Sequence, residues 1–199
     1  VTGATRLAHR ARDRVLTPLA AALALYGGGV LLVITALTVV NVAGFALDAL
    51  VRPWGGAVPG LAGYEEVVAL LIGGAALAFL PWCQLRYGHV AVDLFTQRAP
   101  AAFNAAVDRL ALALTAALAL FLARGMLDGL VQARADGVVT GVRDWPEWPF
   151  WIPGLIALGL WAACAGVMAL APAGPGAAGS HYPHAANGPG PGSGTARDG

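Results

Sequence analysis

Lysine is absent from this 199-residue chain, and serine and cysteine occur only twice each. All twelve basic residues are therefore arginine, which we attribute to codon composition rather than to chemistry. Both serines, Ser180 and Ser193, lie near the end of the chain, and no G-x-S-x-G occurs, which excludes a serine hydrolase of that type. Cys83 and Cys164 lie far apart, each in or beside an apolar run. They have neither metal-ligand spacing nor the density of a disulfide framework, and they read as buried, inert thiols. Charge is the most informative scarcity. Only 12% of residues are Asp, Glu, Lys or Arg, against about 25% in a soluble domain. That is too little to cover a water-facing surface. With 58% hydrophobic residues and a mean hydropathy of +0.68, the chain reads as an integral membrane protein. Nor is there an arginine-dense, aromatic-interleaved stretch of the kind that binds nucleic acid.

What is present is four long apolar runs. A helix needs roughly 20 apolar residues to cross a ~30 Å hydrocarbon core. The first run lies within 19–45. No charge falls between Arg14 and Asp48, far longer than the apolar region of a cleaved signal peptide, so an uncleaved first span is expected. The second, 67–85, is bounded by Glu66 and Arg86 and would be about 28 Å long. The third has an uncharged core, 110–123, of only about 21 Å. We place it at 102–126, with Asp108 and Arg109 near the headgroups, since arginine snorkels at helix ends. The fourth covers 148–171. The expected fold is all-α, four transmembrane helices in one membrane domain, 19–171, after an arginine-rich N-terminus, 1–18.

Arginine placement gives an orientation. Arg6, Arg10, Arg12 and Arg14 precede the first span, and Arg86, Arg98 and Arg109 lie around the second loop. The opposite side carries Arg52, Arg124, Arg134 and Arg143. The richer side is cytoplasmic, so both termini are expected in the cytoplasm. Trp145, Trp148, Phe150 and Trp151 crowd the start of the fourth span, where indoles favour the headgroup level. From Pro172 to Gly199 the chain is Gly-, Pro- and Ala-rich, and it reads as a disordered cytoplasmic tail. His181 and His184 in it do not make a functional metal site.

The stretch LPWCQLRYGHVAVDLFTQRAP, 80–100, gathers Arg86, His89, Asp93 and Arg98. His89 and Asp93 share a helical face, but no second His or Cys joins them as a metal ligand. No histidine lies inside a predicted span, which excludes a bis-histidine haem between spans. The pattern is that of a short amphipathic helix over 89–99, lying in the headgroup layer. Val90, Ala91, Val92, Leu94, Phe95 and Ala99 form its apolar half, with Gly88 at the break and Pro100 at the stop. Asp93 has Arg86 and Arg98 within reach as partners. An assembly role fits these residues better than catalysis, and no catalytic, cofactor or metal residue is assigned.

Arg86, Gly88, His89, Val92, Asp93 and Leu94 form R-x-G-H-x-x-V-D-L after the second span. This resembles the signature of the DctQ-like family, the small membrane subunits of tripartite ATP-independent periplasmic (TRAP) transporters. A second likeness precedes the fourth span, where Pro146-Glu147-Trp148 is followed by Ile152-Pro153-Gly154. The resemblance covers about 19–170. Ala91 and Arg143-Asp144 depart from the family's habit of an arginine in the signature and apolar residues before P-x-W.

The resemblance implies a four-span scaffold in the bacterial inner membrane, packed against a large permease subunit that carries the substrate and ion sites. It implies a periplasmic binding protein as third partner, import of organic acids such as carboxylates, and an ion gradient as the driving force. The chain itself has no intramembrane carboxylate pair and no pair of interrupted helices of the kind that forms a midplane site. Gly88, His89 and Asp93 would then organise the cytoplasmic helix. Two readings stand for Glu65 and Glu66: contact with a periplasmic partner, or placement at a helix N-terminus worth about 0.3–1 kcal/mol each. The same choice, partner contact or solvated loop, holds for Asp128, Asp136, Asp144 and Glu147. Two other classes compete: the membrane anchor of a redox enzyme, which an absorption spectrum would reveal, and a self-contained tetraspan scaffold, which would purify without a permease.

Overall fold

Leucine, alanine and valine dominate the first apolar run, and Pro18 falls in the first turn, where its missing N–H costs nothing. In the computed structural model, which describes residues 12–58, 60–86 and 101–170, this run forms helix α1, Thr17–Val51. A π-helical turn, Arg12–Leu16, leads into it, and the Thr17 hydroxyl donates to the Arg12 carbonyl at 2.9 Å. At 35 residues α1 is about 52 Å long and overshoots a bilayer core. The overshoot carries an Asp48–Arg52 ion pair at 3.0 Å before a 3₁₀ turn, Arg52–Trp54, ends the element.

The second span is interrupted. Helix α2, Tyr64–Ala78, stops at Phe79, and α3, Leu80–Leu85, continues it. Pro81 explains the break, because it has no N–H to offer the carbonyl one turn back. Together the two pieces, Tyr64–Leu85, remain long and apolar enough to cross a membrane. Helix α4 runs Ala101–Ala135 and α5 runs Trp148–Leu170, with Pro153 early in it. Among the described residues four helices are thus long and apolar enough to cross a membrane, and the fold is all-α. The described residues contain no strand beyond an isolated antiparallel bridge, Val139 with Pro146.

Helix α5 is the centre of the arrangement. It packs on α4, on α2 and on α3, while α1 packs chiefly on α2 and α3. Gly154, Ala157, Leu158, Trp161, Ala162, Cys164, Ala165 and Met168 are its buried positions, a stripe at three- and four-residue spacing that faces the neighbours. Of its most apolar stretch 44% is buried, against 6% for α1 and for α4, which places those two on the outside. One core cluster joins Leu16, Ala20, Leu85, Cys164 and Met168. A second joins Ala119, Leu158, Trp161 and Ala162, with Met126 and Leu77 against it.

Small residues set the interhelical distances. A Cβ on Gly27 of α1 would lie 3.0 Å from the Ala75 carbonyl of α2. One on Gly154 of α5 would meet the Met126 methyl of α4 at 2.7 Å. Without a hydrophobic force between helices in lipid, such close packing at small residues is one of the sources of association.

Candidate functional site

The two ends of the helix row carry nearly all of its polar chemistry. At one end, the loop after α1 and the loop after α4 are tied to each other and to the helices. Asn41, buried inside an uncharged run, accepts from the Leu61 N–H through Oδ1 at 3.1 Å. Asp48 accepts from the Val58 N–H at 3.0 Å. These two side chains pin the first loop along α1 and satisfy two of its backbone donors.

The second loop folds into a small hairpin. The Thr140 N–H donates to the Trp145 carbonyl at 2.9 Å, and the Glu147 N–H to the Val138 carbonyl at 3.2 Å. The buried Thr140 hydroxyl accepts from the Trp145 N–H at 3.1 Å. Asp144 takes a left-handed backbone, φ 54°, a conformation aspartate tolerates better than most side chains. Two contacts then lock the hairpin to the first loop and α2. The Glu66 carboxylate accepts from the Val142 N–H at 3.0 and 3.2 Å, and Arg143 Nη2 donates to the Ala62 carbonyl at 3.2 Å. Arg143 also lies over the Trp145 ring at 5.3 Å, and Arg134 over the Trp148 ring at 5.0 Å. Cation–π contacts of this kind contribute about 0.5–1 kcal/mol at exposed sites.

At the other end, Arg12 Nη2 donates to the Leu85 carbonyl at 3.0 Å, supplying a partner for the last turn of α3. Arg86 lies over the Trp82 ring at 4.6 Å. Deeper in, the Trp161 indole N–H donates to Gln84 Oε1 at 3.1 Å, a buried bond between α5 and α3. Gln84 is the one amide side chain of the second span, and burial obliges it to find a partner.

The residues expected from sequence fall as follows. Glu66 is engaged within the chain, and Glu65 beside it is exposed. Pro146 forms the bridge opposite Val139, Trp148 lies under Arg134, and Pro153 packs near Gly74 of α2. The structure brings Glu66 and the Pro146–Trp148 segment to the same end. Arg86 lies at the opposite end. Gly88, His89, Val92, Asp93, the amphipathic helix over 89–99 and the tail 172–199 lie outside the described residues. Asn41, Asp48 and Gln84 were given no role by sequence reasoning, and Arg143 entered it only in the orientation count and as a departure from the family pattern. A solitary polar residue in a long apolar run is the available signal for Asn41 and Gln84, and none was available for the pairing of Glu66 with Val142.

Chemically the arrangement is a clamp that ties both loops to α1 and α2. Among the described residues no group of three His, Cys, Asp or Glu side chains is placed to hold a metal ion. The outer helices present apolar side chains outward, among them Leu32 at 73% and Phe121 at 74% exposure. Comparison with known families gives a match over residues 57–172 to the DctQ component of tripartite ATP-independent periplasmic transporters. The matched region begins after α1 and takes in α2 to α5 with the segment 87–100 between them. Neither the curated proteins nor the solved structures gave a match.

Proposed function

The chain belongs to the DctQ components of tripartite ATP-independent periplasmic transporters, and from that premise we propose how it serves one. It is the small membrane component, a multi-pass inner-membrane protein, and its family is a transporter family and not an enzyme family. In our reading it holds a large many-span permease in register while a periplasmic binding protein delivers an organic acid, with an ion gradient driving import. The observation that carries this reading is the family match on a four-span row whose outer helices leave apolar faces open.

The clamped loop end supports a division of labour. With both termini in the cytoplasm, as the arginine count indicates, the loop 52–63 and the hairpin 138–147 face the periplasm. Glu66 and Arg143 then serve to hold those loops rigid at the surface a binding protein would approach. On the same orientation Arg86 faces the cytoplasm, and we assign Arg86, with Gly88, His89, Val92 and Asp93 of the signature, to assembly with the permease. Substrate recognition belongs to the other two components.

Uptake is the direct test. In cells that supply the permease and the binding protein, removal of this chain abolishes organic-acid accumulation. Asp93→Arg lowers it by about tenfold, as a loss of ~1.4 kcal/mol in assembly would, while the spans still insert. Undiminished uptake in cells without the chain would overturn the reading.

A further inference from the structure

A cleft of about 510 Å³ opens between α2, α5 and the 138–147 hairpin, with Met126 of α4 at its far side. Its two levels differ in chemistry. Glu66, in the first turn of α2, and Glu147, at the end of the hairpin, both line the cleft, and no arginine lines it to neutralise them. Glu66 is held by the Val142 N–H, whereas the half-buried Glu147 carboxylate has no hydrogen-bond or ion-pair partner among the described residues. Below them the wall is Ala69, Gly73 and Leu77, each one helical turn from the next. Ala69 and Gly73 are exposed, and a Cβ placed on Gly73 would meet nothing within 4 Å, so the slot beside it is open space. Glu66 to Leu77 is eleven residues of helix, about 16 Å, or roughly half the hydrocarbon thickness.

Negative charge above an apolar slot of that depth asks for a cation attached to a long hydrocarbon. We propose that this cleft is a binding site for one phospholipid whose headgroup ends in a primary ammonium, a phosphatidylethanolamine. The ammonium lies between Glu66 and Glu147, and one acyl chain runs down the Ala69–Gly73–Leu77 wall past Met126. A lysine from a protein partner would meet the carboxylates, but its four-methylene stem would leave most of the slot empty. A phosphatidylglycerol brings no cation, and a phosphatidylcholine brings one without N–H donors. The site follows from the membrane-spanning fold alone and does not depend on the transport reading.

The test uses the full chain, purified in mild detergent and placed in nanodiscs with equal parts of phosphatidylethanolamine, phosphatidylglycerol and phosphatidylcholine. Native mass spectrometry then reads the lipid that stays bound. One ethanolamine lipid is expected, favoured about fivefold over either other class. The double variant Glu66→Gln, Glu147→Gln abolishes that preference. Glu66→Gln keeps the oxygen that accepts from Val142, so the hairpin stays docked. Gly73→Leu fills the slot and lowers retained lipid about fivefold. A photo-crosslinking residue at position 69, activated in native membranes, gives a phospholipid adduct. Equal retention of the three lipids, retention unchanged in both variants, or a protein adduct at position 69 would each overturn the proposal.

Discussion

Gln84 and Trp161 show how much a single polar atom decides in an apolar chain. The bond between them, 3.1 Å and buried, ties α3 to α5 at the point where the second span has already been interrupted by Pro81. Trp161→Phe keeps most of the packing but leaves the Gln84 carbonyl without its donor. The expected loss is about 0.6–1.7 kcal/mol, the span of values for interhelical hydrogen bonds in membranes. Adding Gln84→Leu removes the orphaned acceptor and recovers part of that loss. Denaturant unfolding of the purified chain in detergent, run as a double-mutant cycle, checks this. Strictly additive losses would contradict the pairing. From the sequence these two residues are visible only as isolated polar side chains in greasy runs. Their pairing depends on the rotation of α5 relative to α3, which composition does not encode.

The helices themselves show where hydropathy reading stops. It locates the lipid-crossing core of each span but not the ends of the helix. Helix α4 continues to Ala135, nine residues past the expected limit at Met126. An Arg124–Asp128 ion pair at 3.5 Å spans that point, and beyond it come good helix formers such as Gln132, Ala133 and Arg134. Packing does the rest: Trp151 of α5 lies over Gly129, and Arg134 caps the Trp148 ring. The break at Phe79 was not in the sequence reading, although Pro81 supplies its cause. The proposed orientation belongs to this scale, because it concerns which loops share a side. In intact spheroplasts, an impermeant maleimide should label Asp136→Cys and leave Thr96→Cys unlabelled until the membrane is opened. The reverse pattern would invert the orientation and move the clamped loops to the cytoplasm.

As a whole the molecule is a row of helices around α5, with α1 and α4 outermost. The fold class was legible because charge scarcity and four runs of bilayer length leave no other architecture for so apolar a chain. The order of packing was not, since every span is apolar nearly all round and its periodicity marks no preferred face. The family was legible from a few residues, Arg86 to Leu94 and Pro146 to Gly154, and the match over 57–172 covers both groups. What those residues contact is a question for the assembled transporter. Exposed side chains such as Leu25 and Leu32 on α1, and Leu118 and Phe121 on α4, give the outer helices apolar faces toward lipid or a partner. The central claim is that this chain works as one part of a larger assembly. Purification from native membranes in a detergent shown to preserve comparable complexes, with mass spectrometry of what accompanies the chain, tests it most directly. A large many-span permease in near-equal amount is the predicted result. Recovery of the chain alone would contradict the account and leave a self-contained tetraspan scaffold in its place.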